Sequence, residues 1–374
     1  MRTHQTLTTL ALAAAVTAGV MAPASAATKP DPVRQGLQTL LRSDGAPAAL
    51  ASVRSRDGRV RTYVAGEGDR DTHTKVPRDG QVRIGSITKT FTAVVVLQLV
   101  GEGKIRLDEP VETYLPKLVR GKGIDGRRIT VRQLLQHTSG LADYEDAVTG
   151  DILKSRYLSP RDALRVALAQ KTLFAPGAKW GYSSTNYLLA GLIVEKITGR
   201  PIAQEIDKRI AKRIGLRHTY FPAPGETTIR RPHPQGYRQE SPGAPLRNLT
   251  KIDPSASWAA GAMVSTNSDL NRFFSALLRA DGNPLLKKAQ YKQMRTTVPM
   301  MKGNSRYTMG LGIMRVQQSD KCAFWGHSGG IPGFGTWAAA TDGGRAASVT
   351  MTLEPRTGPA VQHLEKTIDA ALCR

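Results

Sequence analysis

Ser86-Ile87-Thr88-Lys89-Thr90-Phe91-Thr92-Ala93-Val94-Val95-Val96-Leu97-Gln98-Leu99-Val100 is the most apolar run of the chain after its first residues. Ile87, Phe91, Val94, Val95 and Leu99 recur at helical spacing, so the run predicts a helix. It falls well short of the roughly 20 apolar residues that span a bilayer, and it is therefore expected inside a protein core. Ser86 stands where an N-cap or first-turn residue belongs. Ser86 and Lys89 are three apart and share one helix face, so the lysine nitrogen can reach the serine hydroxyl. A serine hydroxyl is a weak nucleophile until a neighbouring base takes its proton, and a buried lysine can be that base. The S-x-x-K pattern is short enough to recur by chance. Its weight comes from its place at the mouth of a buried helix.

Outward from this helix the chain changes character twice. Towards the N-terminus, Val33 to Leu41 reads as an amphipathic helix. Ala48 to Val53 and Val60 to Val64 read as strands around the turn Arg56-Asp57-Gly58. The middle is mainly helical, with candidates at Val131–Gln136, Pro160–Ala169, Thr185–Ile197, Ile202–Arg213 and Ser268–Leu278. Loops rich in proline and glycine, such as Pro222–Pro245, separate them. The last quarter turns to strands at Tyr307–Val316, Ala323–Trp325, Thr336–Ala340 and Ala347–Leu353, the last two joined by Asp342-Gly343-Gly344. Ala360–Leu372 closes as a helix. Strands at both ends with helices between predict an α/β (α+β) fold: one antiparallel sheet built from both termini, with an inserted mainly helical lobe. The expected single domain is 27–374, its α/β lobe about 30–95 and 300–374 and its helical lobe about 96–299.

Two further motifs carry chemistry. Tyr182-Ser183-Ser184 precedes the helix beginning near Thr185, and a loop tyrosine there can shuttle a serine proton to a leaving group. Gly326-His327-Ser328-Gly329-Gly330 lies on a strand near the C-terminus, where small residues let an extended substrate lie along the backbone. These five residues also match G-x-S-x-G, a nucleophile elbow that needs an acid and then a histidine downstream. Only Asp342 and His363 follow in suitable places. His363 falls within the last helix, and too little chain remains to build the rest of such a sheet, so the elbow is the weaker reading.

The ends and the composition narrow the field. Met1-Arg2, the apolar Leu7–Val20 and the small-x-small site Ala24-Ser25-Ala26 predict a secretory signal peptide over residues 1–26, and hence a secreted protein. The net charge of +23 invites a nucleic-acid reading. The basic residues are spread along the chain and aromatics make up only 6%, with no nucleic-acid motif, so no nucleic-acid partner is expected. Such a surface would attract anionic wall polymers non-specifically. The two cysteines, Cys322 and Cys373, are an even pair in an exported chain and favour one disulfide. The seven histidines show no metal-ligand spacing, so neither metal nor cofactor is expected. The mature chain is expected to be a monomer without a transmembrane segment.

Together the three motifs, in this order, resemble the penicillin-binding serine hydrolases of the class C β-lactamase and D-alanyl-D-alanine carboxypeptidase type. The likeness extends through Lys104–Asp108 with Val111–Pro116, Ile129–Leu141, Tyr182–Gly191 and Ala260–Met263, nearly the whole mature chain. It implies Ser86 as the acylated nucleophile, Lys89 as its partner and Tyr182 as the proton shuttle. His327, Ser328 and Gly329 would stand at the substrate-binding strand, with the N–H groups of Ser86 and Gly330 as the oxyanion hole. Trp258 and Arg315 would supply an aromatic wall and a cation for a substrate carboxylate. One position departs: the family commonly has tyrosine-x-asparagine, and here Ser184 replaces the asparagine.

The leading functional expectation is a secreted D-alanyl-D-alanine carboxypeptidase acting on peptidoglycan stem peptides. An esterase or D-amino-acid amidase of the same fold follows, favoured by Ser184, and then a class C-like β-lactamase. The substrate is thus a small peptide, a β-lactam, an amide or an ester. A non-catalytic wall-binding module would be favoured by loss of Ser86, Lys89 or Tyr182, and all three are present.

Overall fold

The computed structural model describes Met1 and residues 30–148, 157–241 and 243–373. The expected signal peptide, Met1 apart, lies outside the described residues. Among these residues the chain's two ends meet in one antiparallel sheet. The N-terminal part contributes β1 (Ala48–Arg54), β2 (Val60–Asp69) and β3 (Thr74–Lys75). The C-terminal part contributes β4 (Val298–Met301), β5 (Asn304–Met309), β6 (Met314–Ser319), β7 (Cys322–Ile331), β8 (Phe334–Ala340) and β9 (Ala346–Met351). The order is β4-β5-β6-β7-β8-β9-β1-β2-β3. The seam is the β9–β1 pair, with Ala49 opposite Met351 and Val53 opposite Ala347.

Two strand expectations change. Tyr307–Val316 is not one strand, because Gly310-Leu311-Gly312 turns the chain between β5 and β6, with Gly312 at φ 76°. Ala323–Trp325 is only the start of β7, which runs on through Gly326–Ile331, three of whose residues are glycine. Those residues have little strand propensity, and β8 holds them, with Ser328 opposite Trp337 and Gly330 opposite Gly335.

One face of the sheet is covered by α1 (Pro32–Arg42) and α6 (Gly358–Leu372). Asp31 caps α1 by accepting from the Val33 and Arg34 backbone, which fixes where that helix begins. Leu37 and Leu40 of α1 meet Leu364, Ile368 and Leu372 of α6 over Val349 and Met351. Cys322, opening β7, is disulfide-bonded to Cys373 just after α6, with Cα atoms 5.6 Å apart. On the other face, α5 (Asn267–Leu277) packs against β1, β8 and β9. Ser348 Oγ donates to the Asn267 carbonyl at 2.6 Å, and Asn271 Nδ2 donates to the Ser52 carbonyl at 2.9 Å. This helix was expected in the helical lobe and instead belongs to the sheet.

The helix that opened the sequence reading is α2 (Thr88–Gly101), and nearly every side chain on it is buried. It is apolar all round because α4 (Thr185–Thr198), the turn Trp258–Gly261 and the sheet side enclose it. α3 (Pro160–Ala169), with Ser159 as its N-cap, packs against α4. Among the described residues no helix is long and apolar enough to cross a membrane.

Candidate active site

Ser86 sits on a 3₁₀ turn, Gly85–Ile87, that feeds directly into α2. The turn is pressed against β7. A Cβ on Gly85 would lie 2.7 Å from the Gly330 carbonyl oxygen, and one on Gly329 would lie 2.0 Å from the Ile84 carbonyl oxygen. Only glycine allows these backbones to approach so closely, and Gly85 also holds φ at +51°. The approach brings the Ser86 and Gly330 backbones side by side, where two N–H groups can face one developing oxyanion.

Lys89 is fully buried one turn further on. Its Nζ lies 2.9 Å from Ser86 Oγ, 3.0 Å from the Ala260 carbonyl oxygen and 3.3 Å from Ser184 Oγ. The Ala260 oxygen can only accept. Ser184 gives its own proton to Glu145 Oε2 at 3.0 Å, so it too accepts from the lysine. The remaining direction on Nζ points at Ser86, where an ammonium donates and a neutral amine receives the serine proton.

Tyr182 Oη lies 2.7 Å from Ser86 Oγ. Its ring stacks on His137 at a centroid distance of 4.6 Å, and Lys89 Nζ lies 4.9 Å from the tyrosine centroid. Tyr182 is 37% exposed, whereas Lys89 is 0% exposed, so of the two only the phenol can meet a leaving group. His137 accepts from the Ser183 N–H at 3.2 Å through Nδ1, which places its proton on Nε2. Burial, then the charges of Lys89 and His327, hold His137 well below its ordinary range, and it is neutral.

The loop 137–145 that carries His137 was not expected in the site. It clamps the tyrosine loop: the Ser184 N–H donates to Asp143 Oδ2 at 3.0 Å, and Ser183 and Thr185 both donate to the Ala142 carbonyl. Glu145 ends this clamp. Burial, which Lys89 only partly offsets, and then the neighbouring Asp143 hold its carboxyl above the usual carboxylate range, the hydroxyls of Ser184 and Ser257 also pulling it down in part.

His327 is buried on β7, and its Nδ1 donates to the Ser328 carbonyl. Burial pushes it down to about 4, so it carries no charge at neutral pH. β7 as a whole is interior to the sheet. Its pairing with β6 ends at Gly326, so His327–Ile331 is a local free edge beside Ser86. Ser328 is half-buried and Gly330 exposed on that edge. Ser328 lies within a strand rather than on a strand-to-helix turn, and His363 pairs with Asp44 at 2.9 Å, so no nucleophile elbow forms.

Arg315, on β6, is opposite Trp325 of β7, and it donates to Gln317. It lines a cleft of about 540 Å³ with Arg56, Lys321 and Cys373. Trp258 takes φ +29° and lays its ring against α4, in the slot left by the missing side chain of Gly191. There it lines a cleft of about 510 Å³ with Phe221, Pro222 and Pro254. Among the described residues no cluster could hold a metal ion.

A serine, a lysine and a tyrosine converging on one hydroxyl, on a mixed frame with a large antiparallel sheet, define a serine hydrolase of the penicillin-binding and β-lactamase fold. Residues 33–372 match the Beta-lactamase family, and the chain belongs to it. A D-stereospecific amidohydrolase from Streptomyces sp. superposes with a TM-score of 0.83 at 37% identity, over 92% of this chain and 99% of that one. D-amino acid amidase from Ochrobactrum anthropi SV3 shares the fold, with a TM-score of 0.78 at 24% identity over 91% of this chain and 96% of that one. The putative penicillin-binding protein PbpX of Bacillus subtilis is 30% identical over 67% of this chain and 56% of its own length. Esterase EstB of Burkholderia gladioli is 34% identical over 42% of each chain. The chain thus spans about half the length of these two curated relatives.

Proposed function

We propose that the protein is an exported amidohydrolase that cleaves the amide bond on the carboxyl side of a D-configured residue through an acyl-enzyme on Ser86. Tyr182 carries the serine proton to the leaving amine, and water then releases the acyl group. The carrying observation is that His327 is neutral, while Arg315 faces the cleft beside the disulfide. With His327 uncharged and Arg315 lining that cleft, the reading favours a substrate whose leaving group is a neutral amine, which does not require a cation. The D-configuration draws support from the likeness to the Streptomyces enzyme over nearly the full length of both chains. The Cys322–Cys373 disulfide supports export, because such bonds persist in oxidising compartments.

The second reading is a D-alanyl-D-alanine carboxypeptidase acting on peptidoglycan stem peptides, for which the likeness to the Bacillus protein speaks. A paired assay separates the two. The protein is incubated with D-alanyl-D-alanine peptides bearing a free or an amidated C-terminus, with D- and L-phenylalanine amides, and with a short-chain ester. Ser86→Ala is the control. Faster turnover of amidated and D-configured amides is expected. A clear preference for the free carboxylate would reinstate the carboxypeptidase, and activity on the ester alone would favour an esterase.

A further inference from the structure

We infer that Glu145, acting through the Ser184 hydroxyl, is a positioning residue that orients Lys89. Ser184 stands where relatives commonly carry asparagine. Its oxygen lies 3.3 Å from Lys89 Nζ and 3.0 Å from Glu145 Oε2. A hydroxyl has one proton, and Glu145 receives it, so the oxygen facing Lys89 can only accept. The backbone N–H of Ser184 is held in turn by Asp143, 3.0 Å away. A serine alone is too short to replace asparagine, and the carboxylate behind it restores a fixed acceptor.

Among the described residues that face Lys89, Glu145 is the only acid in direct relay. Tyr182 and Tyr187 present ring faces at 4.9 and 5.9 Å, and Ala260 presents a carbonyl. His137 and His327 are both held neutral by burial. Asp143 lies behind Ser184, bonded to its N–H. The two hydrogen bonds keep the lysine and carboxylate charges within about 6 Å.

The inference rests on Ser86 as the acylated residue and is independent of which amide is cleaved. The test is therefore the rate of Ser86 labelling by a neutral fluorophosphonate, which carries neither amine nor carboxylate, followed from pH 5 to 10. Glu145→Gln should lower the plateau of that profile, because Ser184 loses the carboxylate that fixes its hydroxyl. Ser184→Ala should lower the plateau by about 10-fold or more, and Ser184→Asn should restore it, because the amide can donate to Glu145 and accept from Lys89. If Glu145→Gln does not fold, the Ser184→Ala and Ser184→Asn pair decides. An unchanged plateau in Glu145→Gln, or Ser184→Asn no better than Ser184→Ala, would show that Glu145 merely braces the loop. No labelling of Ser86 in the unmutated protein would instead overturn the nucleophile assignment itself.

Discussion

Gly329→Ala tests whether the close approach of β7 to the nucleophile turn builds the oxyanion site. The new Cβ would lie 2.0 Å from the Ile84 carbonyl oxygen and 3.0 Å from the Ser86 backbone nitrogen. An ordinary carbon–oxygen contact is about 3.3 Å or more, so strand and turn must part by about 1 Å. Both partners are backbone, and no side chain can swing aside to relieve the clash. The separation falls between the N–H groups of Ser86 and Gly330. Loss of one oxyanion donor costs about 3–4 kcal/mol at the transition state, so kcat/KM should fall by about 10²- to 10³-fold. Overpacking should also lower stability by about 1–3 kcal/mol. Gly330→Ala is the matched control, since its Cβ would meet nothing within 4 Å and no positive φ is required there. The assay is single-turnover acylation by fluorophosphonate, with thermal unfolding in parallel. A folded Gly329→Ala protein that acylates within a few-fold of the parent would refute the reasoning, as would equal losses in both alanine variants.

Three further outcomes are expected. Tyr182→Phe keeps its stacking on His137 but loses the hydroxyl on Ser86, so kcat/KM should drop about 10²- to 10⁴-fold with little change in melting temperature; near-normal steady-state turnover would reduce Tyr182 to a packing residue. Replacing Cys322 and Cys373 by serine should cost about 2–4 kcal/mol in urea unfolding, since the bond closes a loop of sequence separation 51; two free thiols in the denatured, unreduced protein would show that the bond does not form. His327 titrates at about 4 in the fold against 6.5 for the exposed ring, so the unfolded chain takes up the proton first. The contribution is intact above pH 6.5 and lost as pH falls towards 4, to a total of about 3 kcal/mol, and His137 acts in the same sense. His327→Gln should flatten this part of the pH–stability curve, and an unchanged slope in that variant would sink the assignment.

What could be read from sequence was local. The Ser86–Lys89 pair depends only on helix geometry, and Tyr182 stands three residues before α4, where a loop reads plainly. The terminal strands were legible through their short apolar runs and the turn residues between them, Arg56-Asp57-Gly58 and Asp342-Gly343-Gly344. Arg315 and Trp258 were expected from a family resemblance and not from any local pattern, and the surroundings the structure gives them, Trp325 across the strand pair and Gly191 on another helix, are long-range neighbours that no local stretch of sequence displays. Glu145 and His137 were passed over for the same physical reason: they join the site through a loop–loop clamp between 137–145 and 181–186, and no periodicity marks a clamp.

The geometry also divides the labour of proton transfer. Lys89 has no exposed surface, and two of its three proton directions end on Ala260 and Ser184. Its third direction ends on Ser86, so a proton on the lysine can return only to the serine oxygen or pass through it. Tyr182 touches the same oxygen and reaches solvent on the side where a leaving group must depart. A proton taken from Ser86 therefore reaches the amine through the phenol, while the lysine sets the charge under which the phenol works. Attack by water on the acyl-enzyme reverses the path, with Tyr182 receiving the water's proton and Ser86 regaining it. On this arrangement an active-site lysine can be essential without ever meeting the substrate. Glu145, which never meets the serine, governs the reaction only through it.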